Sequence, residues 1–598
     1  MPVTSGNRSG GPRRMIVRNV RVVDVVHKTI VPGPLWIENG LVLAAGGEME
    51  FPAPRGELEA STPGGPDVQV VDGGGCYAVP GLLDVHTHIE SSFVTPRRFA
   101  EAVAPSGTTA VVADPHEIAN VLGEDGVRYM LEASRDLPLR FFFSVPSCVP
   151  ATSAELETSG ANWGPGEIRR IFALDERLIA LGEMMDFRAV VDGEARATAI
   201  LAEARKQGWL VEGHCPSLTG VARAAYFAAG ISTDHTLMNP EKIRDEIRLG
   251  VWVQLQEKSI SPENIALLLE LLEHHEPEGE SSPAPGGPSA LDRVVFVTDD
   301  FPPSGFTEGH LTGNVRRAIS LGLPPLEALA SATIRPARLM GLSRLGALQP
   351  GCYADFFLTP DLTRLQVERV FIGGREILRL SVADTGVANT SIKPLMVPRL
   401  TGDDFTFAGL DGARRCRVIR ANGENTLTEL ETRVITFKAG RPILAEDLAL
   451  VAVCERHGVN GRRSLGFLSG YGRMRGAVAS TVAHDSHNLV IIGADPRDMA
   501  LAANCLVDAG GGLVAVEGGE IKTLVPLPVA GLLSDAPVAV ISRKVKEFEA
   551  ALQKLGVTHR RGLMFLTMVT LTTSPRVKLS DRGLVDVDAR RLIPVVEE

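Results

Sequence analysis

Between residues 81 and 300 the chain alternates short apolar runs with stretches of helical spacing, and that alternation leaves few folds open to it. The runs are GLLDVH (81–86), TTAVVAD (108–114), RFFFSVP (140–146), LIALGEMM (178–185), WLVEGH (209–214), ISTDH (231–235), VWVQLQE (251–257) and RVVFVTDD (293–300). Helix-compatible stretches such as GEARATAILAEARKQ, SLTGVARAAYFAAG and PENIALLLELLEHH lie between several of them. Strands alternating with helices form parallel βα units, and eight such units predict a closed (β/α)8 barrel. The Pro/Gly/Ser-rich segment 276–290 reads as a loop inserted before the eighth strand, and His274 and His275 beside it as solvated helix-end residues.

At 598 residues the chain exceeds what one core supports. Residues 15–80 contain alternating valines and isoleucines between turn residues, and a similar pattern returns within 346–395. These flanks are expected to join into one small β-sandwich around the barrel of 81–345. From 396 to 598 the pattern changes to a further α/β domain, with RMRGAVASTVA and LVIIGA as strands, HDSHN (484–488) as a turn and DPRDMALAANCLVDAGGG as a helix. The glycines at 510–512 fit a helix C-cap and not a phosphate loop, since no GK[ST] follows.

Several function classes drop out on composition. Net charge is −11, from 72 acids against 61 bases, and no long basic run occurs, which argues against nucleic acid as a partner. No run of about 18 apolar residues predicts a membrane span. The leader, residues 1–14, lacks the apolar segment of a signal peptide and is expected to be disordered. Seven scattered cysteines without a CxxC pair suit reduced thiols and a cytoplasmic location. A homo-oligomer, dimer or higher, is the expected assembly.

The apolar runs carry their chemistry at their tails. His86 and His88 end the first, Glu183 lies at the end of the fourth, His214 and His235 end the fifth and sixth, and Asp299 lies at the end of the eighth. Strand ends of a parallel barrel gather on one rim, where the βα loops form the active face. An HxH pair alone is a weak signal, and a single histidine after a strand is more often a hydrogen-bonded core residue. Four imidazoles and two carboxylates on one rim predict a binuclear metal site instead. Two divalent ions about 3.5–4 Å apart need a bridging anion and two or three further ligands each. His86, His88 and Asp299 would hold one ion, His214 and His235 the other, and Glu183 would bridge them. Imidazole and carboxylate ligands suit manganese or iron, with zinc or cobalt also fitting, and disfavour magnesium and calcium.

The segments PGLLDVHTHIESS, DPHEIANVLG, LGEMMDF, EGHCPSLTG, GISTDHT, VTDDFPPSGFTEGH and PGCYADF resemble the amidohydrolase superfamily, and specifically its bacterial adenine deaminase family. GRMRGAVASTVAHDSHN and LPVAGLLSD resemble the C-terminal domain that this family appends. Most of the superfamily places a modified lysine on the fourth strand. Glu183 in its place is similar to the adenine deaminase pattern. The resemblance implies hydrolysis of adenine to hypoxanthine and ammonia, with adenine as the small-molecule partner. Asp299 can relay a proton from the nucleophile. His116, Glu117 and Asp300 are candidates for the second proton delivery, with a helix-start acid and a loop histidine as the plainer reading of the first two. His484, Asp485 and His487 read as a polar turn over the barrel mouth or at the domain interface. A metal site there lacks a visible third ligand. Two other readings stay open: a binuclear amidohydrolase for cyclic amides or N-acyl substrates, and a non-catalytic barrel serving as an interaction protein.

Overall fold

The computed structural model describes residues 14–47, 68–273, 290–377 and 395–597. The leader expected over 1–14 lies outside the described residues except for Arg14, which opens the first strand. His274, His275 and nearly all of the 276–290 insertion lie outside them as well.

The predicted barrel is present. Its strands are β1 (Leu82–His88), β2 (Thr108–Ala113), β3 (Arg140–Val145), β4 (Leu178–Met184), β5 (Leu210–Gly213), β6 (Thr233–Asp234), β7 (Trp252–Leu255) and β8 (Val294–Phe296). Neighbours pair in parallel from β1 to β5 and from β6 to β8. The Ser232 amide donates to Val211 O at 2.9 Å and links the two arcs. The sequence reads 293–300 as one strand, but the chain breaks after Phe296 and resumes as β9 (Asp299–Asp300), which pairs with Thr87 and His88 of β1 and closes the ring. Asp299 has φ 58°, a left-handed conformation that an aspartate tolerates and a β-branched residue does not. That kink divides the strand.

Every residue of β1 and β2 is buried, as expected for parallel strands covered on both faces. Helices between the strands start and stop on recognisable chemistry. The Asn239 side chain caps Pro240–Arg248 by accepting from the Lys242 amide, and Gly208, at φ 70°, ends Ala195–Gln207 in the left-handed conformation.

Two sheets flank the barrel. One joins Arg14–Arg18, Leu35–Glu38, Leu41–Ala45 and Val68–Asp72; the other joins Arg21–Asp24, Thr29–Pro32 and Tyr77–Pro80 to Phe356–Thr359, Arg369–Ile372 and Arg375–Glu376. Met15, Val17, Leu35, Phe356 and Phe371 pack between them. The segments before and after the barrel therefore meet in one sheet.

Past residue 395 a nine-stranded mixed sheet carries Pro496–Ala509 on one face and Val538–Lys554 on the other. Alternation along Leu448–Cys454 feeds both layers: Leu448, Leu450 and Ala452 join the core on one face, Ala449, Val451 and Val453 the core on the other. Gly510 caps the first helix at φ 75°.

Gly213 sits where β5 meets β6, and a Cβ there would lie 2.1 Å from Thr233 O. Gly213→Ala is expected to destabilise the chain by about 1–3 kcal/mol, read as a lower denaturant midpoint with an unchanged slope.

Candidate functional site

Six side chains from β1, β4, β5, β6 and β9 converge at one rim of the barrel. The β1–β2 register shifts between Asp84 and Thr87, which re-aims the end of β1 so that His86 and His88 both enter the cluster. His88 Nε2 lies 3.3 Å from both Glu183 Oε1 and Asp299 Oδ1. His86 Nε2 lies 3.7 Å from Asp299 Oδ1. His214 Nδ1 is 2.7 Å, and His235 Nε2 3.5 Å, from Glu183 Oε2. All but His214 are buried, and His214 is nearly so. The structure brings these six sequence-predicted residues together at one rim.

Their hydrogen bonds fit this donor set to a cation. His86 donates Nδ1–H to Glu212 Oε2 at 2.8 Å, and His88 donates Nδ1–H to Asp114 O at 3.1 Å. Each ring therefore directs Nε2 into the cluster, where a cation would take the place of its proton, and His86 Nε2 is buried without a hydrogen-bond partner. Ligand atoms of His86, His235 and Asp299, of His86, His88 and Glu183, and of Glu183, His214 and His235 lie within 4.8 Å of one another. Three overlapping sets, linked pairwise through His86, Glu183 and His235, can accommodate two adjacent ions.

The electrostatics agree. Burial disfavours charge on Glu183, but His214 and His235 hold it well below the usual carboxylate range; Asp299 is lowered in the same way by His235, His86 and His88. Burial and the nearby His86 depress His235 to about 3, leaving the neutral imidazole that a metal requires. Burial also opposes charge on His86 and His88, yet their carboxylate neighbours raise both well above 6.5.

A second polar cluster lies beside the first. His116 Nδ1 is 3.6 Å from Asp114 Oδ2 and 3.7 Å from Glu183 Oε1, and its Nε2 is 3.7 Å from Asp485 Oδ1. Glu117, in the first turn of the helix His116–Leu122, meets His484 Nδ1 at 3.2 Å and His487 Nε2 at 3.9 Å. The HDSHN turn thus reaches the barrel rim, and Glu117 supplies the third group that the sequence did not reveal. Glu117, His484 and His487 lie close enough for a cation, but the Ala483 amide donates to His487 Nδ1 at 3.2 Å. That bond places the proton of a neutral His487 ring on Nε2, so this nitrogen faces Glu117 as a donor and not as a lone pair. Asp300 forms a further metal-type set with His88 and Asp299, and it accepts from Ser91 Oγ at 2.6 Å; Ser91 also reaches Glu117 Oε1 at 3.1 Å.

Sequence reasoning missed the supporting groups. Glu212 and Asp114 each lie two residues before a predicted site histidine, but the imidazoles they support are His86 and His88, so that spacing does not signal the contacts. Asp114 Oδ2 also accepts from the Glu183 amide at 3.0 Å, and Gly182 is what lets it approach, since a Cβ there would meet it at 2.2 Å. Lys258, 4.0 Å from Asp299 Oδ2, has no sequence signal at all.

The chain is similar to known proteins along most of its length. Residues 77–377 match the family model of the amidohydrolase family, and 425–591 match that of the adenine deaminase C-terminal domain. An adenine deaminase of Moorella thermoacetica is 36% identical over 601 residues, covering 98% of this chain and 96% of that protein. The adenine deaminase of Nitratidesulfovibrio vulgaris strain DP4 is 39% identical, covering 96% and 95%. Among solved structures, an enamidase described as a member of the amidohydrolase superfamily is similar over 61% of this chain and 97% of its own, at 17% identity and a TM-score of 0.43. The chain belongs to the adenine deaminase family of the amidohydrolase superfamily.

Proposed function

We propose that this protein converts adenine and water to hypoxanthine and ammonia. The observation that carries the reading is the buried cluster around Glu183, where a carboxylate occupies the bridging position on β4 and four imidazoles and Asp299 surround it. His86, His88 and Asp299 would hold one divalent cation, His214 and His235 a second, and Glu183 would bridge them. Manganese or iron fits this donor set best, with zinc or cobalt as further candidates. Cations bound there would lower the pKa of water towards neutrality and so supply hydroxide for addition to C6 of the purine.

The protein's own groups move the protons. Asp299 is anionic and lies within reach of His86 and His88, so it accepts the proton of the nucleophile and passes it to a ring nitrogen of adenine. Lys258 stabilises the charge on Asp299. Glu212 and Asp114 orient the two β1 imidazoles. His116, between Glu183 and Asp485, and Glu117 and Asp300, joined through Ser91, complete a polar wall on one side of the cluster.

The same reading divides the chain into a sandwich from 15–80 and 346–395, a barrel from 81–345 and a C-terminal domain from 396–598. Pairing of Tyr77–Pro80 with Phe356–Thr359 supports the first of these. A homo-oligomer, dimer or higher, is part of the same reading. None of the seven cysteines forms a disulfide and no described helix is long and apolar enough to cross a membrane; both suit a cytoplasmic enzyme.

Manganese-loaded protein is expected to release ammonia from adenine, and no turnover at full metal occupancy would refute the reading. Glu183→Gln should lose metal and kcat together; retention of both would exclude the bridge. Glu212→Ala is expected to weaken metal binding about 10–100-fold in a chelator competition. In the apoprotein His86 and His88 keep their protons above pH 6.5, so a cation must displace them. Metal uptake should therefore release protons and tighten as pH rises through and beyond 6.5, measured calorimetrically in buffers of different ionisation enthalpy.

A further inference from the structure

The turn at 484–488 is held mainly by its own C-terminal domain and reaches the barrel through Asn488 and His484. The His484 amide donates to Thr567 O at 2.9 Å, and Thr570 Oγ1 donates to His484 O at 3.1 Å. Asn488 Nδ2 donates to Thr158 O, on the loop after β3, at 2.9 Å, and His457 Nε2 donates to Ser486 O at 2.8 Å. A turn held this way positions its side chains without mobile intermediaries. Its first residue, His484, gives Nδ1 to Glu117 Oε1 at 3.2 Å, and 11% of its side chain stays open to solvent. Nε2 has no protein partner among the described residues. Glu117 is fully buried, shared by Ser91 at 3.1 Å and faced by His487 at 3.9 Å. A buried carboxylate behind an imidazole with its far nitrogen free is the arrangement of a proton donor.

We infer that His484, held by Glu117 across the domain boundary, protonates the amino nitrogen that leaves C6 of adenine. The inference rests on the adenine reading above. After hydroxide adds to C6 and a proton reaches the ring nitrogen, C6 bears OH and NH2. His484 Nε2–H gives its proton to that NH2, the C6–N bond breaks with its electron pair going to nitrogen, and neutral ammonia departs. The hydroxyl proton passes to Asp299, which releases it to solvent, C6 becomes the carbonyl of hypoxanthine, and His484 regains a proton from solvent. The sum is adenine and water to hypoxanthine and ammonia. The opposing charge of Glu117, with Asp485 and the more distant Asp300, outweighs burial and holds the imidazole protonated well above its usual range.

The test compares adenine with 6-chloropurine, whose chloride leaves without a proton. With the metal content of each protein measured and matched, His484→Ala is expected to lose about 10²–10⁴-fold in kcat on adenine and to stay within about threefold on 6-chloropurine. Equal losses on both substrates would make His484 a structural residue and overturn the inference. A wild type that turns over no adenine at full metal occupancy would sink the substrate reading, a different outcome. Glu117→Gln provides the second arm. The groups facing His484 are Glu117 and Asp300 from the barrel and Asp485 and His487 from its own turn, with Arg456 acting on His487 from behind. Removing the Glu117 charge should move the alkaline limb of kcat on adenine to lower pH. An unmoved limb would overturn the inference without recourse to the alanine variant.

Discussion

One buried carboxylate organises the rim. Glu183 lies within 3.7 Å of four imidazoles, those of His88, His116, His214 and His235, and its backbone amide is held by Asp114. A lone charge at such depth would cost several kcal/mol. It is tolerable because positive or polarisable partners approach from every side. Each strand that contributes a partner must end at the right level of the barrel, so the carboxylate constrains β1, β5 and β6 together. Gly182 and Asp114 then fix the carboxylate from behind, and the β1 register shift serves the same geometry.

Much of this was legible in the sequence, for a physical reason. Parallel strands buried on both faces must be continuous apolar runs, and a functional residue can stand only where such a run meets the rim. The eight runs and the six residues at their tails therefore stood out together. Asp299 was found, but the left-handed kink that splits its strand was not, because an aspartate after a valine run looks the same whether the backbone continues or turns. The partner of the HDSHN turn was hidden because Glu117 precedes His484 by more than 350 residues. No periodicity connects them; only the docking of two domains does. Lys258 was invisible for the simpler reason that an isolated lysine after a strand has no pattern.

The two histidine clusters show how similar residues acquire opposite roles from one hydrogen bond each. In His86 and His88 an acceptor takes the Nδ1 proton, so Nε2 faces inward as the nitrogen that a cation can claim once its proton leaves. In His487 a backbone amide occupies Nδ1 and leaves the proton on Nε2. The first pattern prepares a ring for a cation and the second for an anion. Composition cannot separate them, since both clusters are histidine and carboxylate in comparable proportion.

The sheet that ties Tyr77–Pro80 to Phe356–Thr359 acts on the barrel as a clasp. The chain enters and leaves the barrel through neighbouring strands, so the whole eight-stranded ring is a single large loop with its ends fastened. Closing a loop of that length costs only slightly more entropy than closing one half as long, because the cost grows with the logarithm of length. Tension applied to the chain is borne first by the clasp. The rim then keeps its spacing while the flanks move, much as a watch holds its setting while the strap flexes.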